Sequence, residues 1–260
     1  GVRRNRQTSG DRTSANKFFD IDWHKQMKLF CLAYAGGTAT TAYRKMKSRL
    51  SPGIDVVPVN IPGRGEKDAS PPKTVDELIG RLAQQICSKS DEDWAILGHS
   101  YGAGLAFEIT RRAEKGGNPP RLCIISGRRA PKSNRQNHSF ARLDDDTLLT
   151  RVAEWGALPP EYFEHPALRS LAAVRLREDF QFSDSLHERD PMPLRCTPLY
   201  VMAGTNDPVA PPREVSGWCS RTLTGSSFDK FEGDHFFLFN NAKAADSVRT
   251  HLFSFLTQHP

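Results

Sequence analysis

The 260-residue sequence predicts an α/β fold: a mostly parallel central sheet with helices on both faces and a helical lid insertion. Three observations predict it. Short apolar runs alternate with amphipathic helical stretches, and turns rich in Gly or Pro punctuate them. Between residues 131 and 195 the alternation stops and only helical periodicity continues. The length suits a single domain with one large core. We therefore assign residues 27–260 to one domain, 131–195 to its lid insertion, and 1–26 to a flexible polar leader rich in Arg, Asn, Ser, Thr and Asp.

Residues 29–33 read as a buried strand ending at Gly36-Gly37, and residues 55–59 as a second, closed by the turn Pro62-Gly63-Arg64-Gly65. Thr74 followed three residues later by Glu77 is a capping box, and the helix it opens places Val75, Leu78, Ile79, Leu82, Ala83 and Ile86 on one face. Residues 94–97 form a strand, 102–115 a helix stopped by Gly116-Gly117, and 122–125 a strand. In the insertion, 145–155 and 166–180 are helical. Their apolar residues Leu148, Val152, Trp155, Leu168, Leu171 and Phe180 are expected to pack on the sheet edge, on each other or on substrate. Strands at 199–202 and 228–231 and a helix over 243–256 complete the chain. A lid belongs over the carboxyl edge of the sheet, where open α/β sheets bind ligands.

Composition excludes several classes. Hydrophobic residues at 38% and charged residues at 25% describe a soluble globular chain. No apolar run approaches the ~18 residues of a membrane span, and the leader lacks the apolar stretch of a signal peptide, so a cytoplasmic location is expected. The net charge is +6, of which residues 1–28 supply +4; the nearly balanced remainder excludes a nucleic-acid-binding stripe. Cys31, Cys87, Cys123, Cys196 and Cys219 are odd in number and stand at no metal-ligand spacing, so buried or semi-buried free thiols in a reducing compartment are expected. No metal or organic cofactor is called for.

Gly98-His99-Ser100-Tyr101-Gly102 follows a strand and opens a helix, the context of a nucleophile elbow in the α/β-hydrolase fold. A serine hydroxyl is a weak nucleophile and needs a base oriented by a third group. On this fold the partners follow in the order serine, acid, histidine. Asp207, just beyond the strand at 199–202, and His235, just beyond that at 228–231, meet the order and share the edge with Ser100. Asp234 is the rival acid, but its side chain would have trouble reaching the imidazole of its neighbour. His99 is expected to point away from the serine; the remaining histidines lie in the leader, the insertion or the C-terminus. An oxyanion hole needs two N–H groups. One falls to Tyr101, directly after the nucleophile, and the other to the loop Tyr34-Ala35-Gly36-Gly37, with Ala35 as first choice and Gly36 as second.

Five segments together resemble the type II thioesterases, stand-alone editing enzymes of polyketide and nonribosomal peptide synthesis. They are Tyr34-Ala35-Gly36-Gly37, Pro62-Gly63-Arg64-Gly65, the elbow over 98–103, Ser126-Gly127-Arg128-Arg129-Ala130-Pro131, and Gly233-Asp234-His235-Phe236-Phe237-Leu238, in family order across residues 28–256. The resemblance implies Ser100, Asp207 and His235 as triad, Ala35 and Tyr101 as oxyanion donors, and 131–195 as lid. It implies hydrolysis of acyl groups from the phosphopantetheine arm of an acyl or peptidyl carrier protein, turnover of small acyl thioesters, and a place in antibiotic biosynthesis. Two positions depart from the family: Met usually stands at Tyr101 and Gly at Asp234. The Tyr101 ring is accordingly expected to narrow the acyl pocket. A small-ester hydrolase or lipase and an acyltransferase would use the same triad, and a binding protein would need it broken. Arg128, Arg129, Lys132 and Arg135 would either dock an acidic carrier or form a solvated basic loop, and Arg128 and Arg129 could also hold carboxylates at the base of the lid.

Overall fold

The computed structural model describes residues 27–63, 70–90, 93–131, 139–158 and 161–258, the side chains of 255–258 excepted. The leader 1–26 lies outside them, as do Lys132 and Arg135. β1 (Met27–Leu32), β2 (Ile54–Pro58), β3 (Trp94–His99), β4 (Cys123–Ser126), β5 (Leu199–Gly204) and β6 (Ser226–Phe231) form one sheet in the order β2-β1-β3-β4-β5-β6. Each neighbouring pair is parallel. The chain winds outward from β1 to β2 and then returns to β3, so the strand order reverses between β1 and β3. At such a reversal the two connections part and leave a crevice at the carboxyl edge.

Strand residues alternate between two cores, as period-2 geometry requires. Phe30, Leu32, Trp94, Ile96, Leu199 and Val201 face one side; Leu29, Cys31, Ala95, Leu97, Tyr200 and Met202 face the other. In chain order the helices are α1 (Ala39–Ala42), α2 (Arg44–Leu50), α3 (Val75–Cys87), α4 (Tyr101–Lys115), α5 (Asp145–Glu154), α6 (Glu161–Glu164), α7 (Pro166–Glu188), α8 (Pro212–Val215), α9 (Phe237–Asn240) and α10 (Ala242–Gln258). α3, α4 and the insertion cover the first side, and α1, α2, α9 and α10 the second. α3 buries the six residues its periodicity singles out, each large aliphatic among them contributing about 1.5–3 kcal/mol. The Thr74 hydroxyl accepts the Glu77 N–H at 3.1 Å, but the Glu77 carboxylate returns to the Lys73 N–H at 2.8 Å, one residue earlier than a standard box.

The insertion departs from expectation in two ways. α7 runs to Glu188 and not only to about 180, because Asp179 and Ser183 on its inner face interrupt the apolar pattern that marked its start. Leu148 and Val152 are buried, and Trp155, Phe140 and Phe180 meet ring to ring at 4.9–6.4 Å. Leu168 and Leu171, however, stay 40% and 44% exposed on α7, so neither the sheet edge nor the insertion buries them. Cysteines also divide. Cys31 and Cys123 are buried, and burial pushes the Cys123 thiol up to about 12, which keeps it protonated and inert. Cys87, at the end of α3, and Cys196, ahead of β5, are exposed, against the expectation of burial. α1 and α2, whose residues carry no long periodic run, were not expected.

The cap gives a test that leaves the site untouched. Thr74→Ala should destabilise the protein by about 1 kcal/mol, read as a lower urea midpoint at unchanged m-value, with turnover unaffected; an unchanged midpoint would show that the cap contributes nothing.

Candidate active site

β3 delivers Ser100 at the carboxyl edge in a conformation of φ 55° and ψ −114°, the one positive φ outside glycine among the described residues. Such geometry costs on the order of 1–3 kcal/mol and persists only where surroundings enforce it. Here two glycines do. A Cβ on Gly98 would lie 2.1 Å from the Gly102 carbonyl oxygen, and one on Gly102 would lie 2.4 Å from that of Leu32. No side chain fits at either point, so α4 presses directly on β1 and β3. The Ser100 N–H donates to the Ser126 carbonyl at 2.8 Å, and the Ala103 N–H donates to that of Ser100 at 3.1 Å. The serine hydroxyl is thereby turned toward the loops after β5 and β6.

Those loops bring the other two residues. His235 Nε2 lies 3.0 Å from Ser100 Oγ, and His235 Nδ1 lies 2.8 Å from Asp207 Oδ2. The second oxygen of Asp207 accepts the N–H groups of Val209 and Ala210 at 2.8 and 2.9 Å. Asp207 and His235 are both 3% exposed. With its N–H bonds satisfied, the buried carboxylate is held in one orientation and fixes the Nδ1–H tautomer of the imidazole. Asp234 turns the other way and accepts the Phe236 N–H at 2.8 Å. The structure thus brings Ser100, His235 and Asp207 together and leaves Asp234 out.

His99 is fully buried with Nδ1 3.0 Å from Ser126 Oγ, and its ring centroid is 5.1 Å from that of His235. Tyr34, Phe236, Phe237 and Phe239 wrap it. Burial, and then the charge of His235, hold its pKa well below the ordinary histidine value. The neutral form of His99 is therefore favoured beside His235.

The two candidates for the second oxyanion donor separate clearly. The Gly36 N–H donates to Asp179 Oδ2 at 2.7 Å and is occupied. The Ala35 N–H has no hydrogen-bond partner among the described residues. Tyr101 is the first residue of α4, where helical N–H groups have no intrahelical acceptor. Its side chain, by contrast, is 1% exposed and sits in the core. It is not on the cavity wall, so the expectation that its ring narrows an acyl pocket fails. At the elbow the serine faces outward, and the following residue is tucked beneath it.

A cavity of about 820 Å³ opens beside Ser100, walled by Phe140, Trp155, Phe180, Arg128 and Arg129. A groove of about 580 Å³ lies on the other side of Trp155, between Tyr34, Phe236, Arg44 and Lys45. Arg128 donates to Ser183 of α7, and Arg129 bonds the Val209 carbonyl and pairs with Glu214 at 3.1 Å. Both arginines are thus engaged within the fold, at the base of the insertion. Among the described residues no cluster of His, Cys, Asp or Glu is arranged to hold a metal, and no helix is long and apolar enough to cross a membrane.

Residues 27–256 match the family model described as a thioesterase domain. The gramicidin S biosynthesis protein GrsT of Aneurinibacillus migulanus is 28% identical over 88% of this chain and 91% of its own. The thioesterase PikA5 of Streptomyces venezuelae is 31% identical over 82% of this chain and 75% of its own. The type II thioesterase BorB from the borrelidin biosynthetic cluster superposes with a TM-score of 0.75 at 29% identity, covering 89% of this chain and 93% of that structure.

His99 makes acid stability measurable. Its folded pKa is depressed, so its contribution is complete above the unfolded value of about 6.5 and is lost as pH falls toward the folded one. His99→Phe, in a pocket already aromatic, should flatten the fall of the urea midpoint between about pH 7 and pH 5; parallel curves for variant and wild type would show that His99 is not the group responsible.

Proposed function

The chain belongs to the thioesterase family, and from that premise we propose that Ser100, His235 and Asp207 hydrolyse acyl thioesters presented on the phosphopantetheine arm of a carrier protein. It is a serine hydrolase of the α/β-hydrolase fold and a thioesterase of the type II kind that serves nonribosomal peptide and polyketide synthesis. The observation that carries the residue assignment is the hydrogen-bonded chain from Ser100 Oγ through His235 to Asp207 at 3.0 and 2.8 Å.

Ser100 Oγ attacks the thioester carbonyl as His235 Nε2 takes its proton. Asp207 stabilises the imidazolium through Nδ1–H, while neutral His99 adds no opposing charge. The oxyanion is received by the N–H groups of Ala35 and Tyr101, which gain most where negative charge develops. As the tetrahedral intermediate collapses, the carbon–sulfur bond breaks and His235 returns the proton to the leaving thiolate. Water then attacks the acyl-serine by the same steps, releasing the carboxylic acid and restoring Ser100. In this reading the 820 Å³ cavity takes the acyl group, and residues 131–195 act as a lid that opens to admit the arm and closes to exclude water. The biological role is removal of stalled or aberrant acyl groups, in the cytoplasm, beside the synthase that makes them. A hydrophobic pocket discriminates by only about 1–3 kcal/mol per methylene, which suits an editing enzyme of broad specificity.

The assignment is tested on acyl-carrier thioesters and matched oxygen esters. Ser100→Ala should abolish turnover with the fold intact, and Asp207→Asn should lower kcat by up to about 10⁴-fold by favouring the wrong tautomer. A near-normal Asp207→Asn beside an inactive Asp234→Asn would overturn the triad. Preference for the oxygen ester would point to a small-ester hydrolase, and transfer to an alcohol or amine in place of water to an acyltransferase.

A further inference from the structure

We propose that Asp179 of α7 is a positioning residue that assembles the oxyanion loop only when α7 is seated, coupling the insertion to the chemistry. This rests on the assignment of Ser100 and the Ala35 N–H made above.

α7 meets Gly36, in the loop after β1, through two inner-face residues one turn apart. Asp179 Oδ2 accepts the Gly36 N–H at 2.7 Å. One turn earlier, Leu176 Cδ2 occupies the space at Gly36 where a side chain would be, 2.7 Å from an ideal Cβ. Gly36 itself has φ +77°, a conformation natural to glycine. The residue immediately before it is Ala35, whose N–H is the open donor. One residue apart along the chain, two amides are thus divided: one is tied to the insertion, the other left for substrate. Fixing the peptide at Gly36 fixes the aim of the amide at Ala35, because only two soft dihedrals separate them.

Two further features favour positioning over mere packing. Asp179 is 0% exposed on a face whose other buried residues are Ala172, Ala173, Leu176 and Leu186. A carboxylate there is tolerated only where hydrogen bonds replace its hydration, and a hydrophobic residue of like size would serve a purely packing role better. One turn further on, Ser183 is bonded by Arg128, which also reaches toward the Ser100 carbonyl at 3.4 Å. The same face of α7 therefore meets the loop after β1 directly and the Ser100 backbone through Arg128. When α7 lifts, the Gly36 bond breaks and the hole loses its frame; when α7 seats, the hole is restored. Hydrolysis is thereby confined to the closed state.

The test compares Asp179→Ala, which removes the acceptor, with Asp179→Asn, which keeps a weaker neutral one. On a small acyl thioester, Asp179→Ala should lower kcat by roughly 10–100-fold, the size of effect expected for a misaimed oxyanion donor, with KM within about threefold. Asp179→Asn should fall between it and wild type. Affinity for a boronic acid that forms a tetrahedral adduct on Ser100 should drop in parallel with kcat/KM. Amide exchange at Gly36 should accelerate in both variants while β3 and β4 amides are unchanged. Wild-type kcat in Asp179→Ala, or losses that follow melting temperature alone with boronate affinity intact, would overturn the proposal. Should Asp179→Ala not fold, Asp179→Asn decides: unchanged kcat and unchanged Gly36 exchange would overturn it. Labelling of wild-type Ser100 by a fluorophosphonate separates the two levels. No label would reject the nucleophile assignment itself, and a label with no effect at Asp179 would reject the coupling alone.

Discussion

At Ser100 the backbone is held in a conformation that serine avoids, and the rest of the site depends on the contact that holds it. α4 lies so close to β1 and β3 that neither Gly98 nor Gly102 has room for a Cβ. That approach sharpens the turn and puts the hydroxyl at the head of the sheet. It also sets the first N–H of α4 beside the loop after β1. The reversal of strand order between β1 and β3 opens a crevice at the same place. The remaining machinery need only be brought to that point by loops after β5 and β6, and the parallel sheet supplies those loops on one edge.

Electrostatics around the imidazole follow from burial. Asp207 is withdrawn from water, but the N–H groups of Val209 and Ala210 and the ring of His235 replace its hydration. His99, whose ring centroid lies 5.1 Å from that of His235, is kept neutral by burial first and by His235 second. Around them the aromatic rings of Tyr34, Phe236 and Phe239 exclude water, and Trp155 separates the cavity beside Ser100 from the basic groove on its far side.

Most of this was legible in the sequence because it depends on local rules. Five of the six strands announced themselves as apolar runs, β6 did not, and Ser100, Asp207 and His235 stood just beyond three of the six in the order the fold demands. The choice between Asp207 and Asp234 followed from side-chain reach and agrees with the observed bonds. What was not legible depends on contacts distant in sequence. Asp179 contacts Gly36, 143 positions away; its signal was a lone carboxylate on the apolar stripe of α7, which reads equally well as the end of that stripe. Tyr101 was misread for a related reason. Its place after the nucleophile is local, but whether its ring faces cavity or core is set by the packing beneath α4. Arg128 and Arg129, legible as a basic cluster, are committed to α7, Val209 and Glu214, which no spacing could show.

The central claim is that acyl groups pass through Ser100. Mixing the protein with an acyl-carrier thioester, quenching within milliseconds in acid and digesting for mass spectrometry tests it most directly. The account predicts a peptide containing Ser100 that carries the mass of the acyl group, formed as free carrier thiol appears and lost as carboxylic acid appears. An acyl group found on another residue, or thiol released with no covalent adduct at any time, would contradict it.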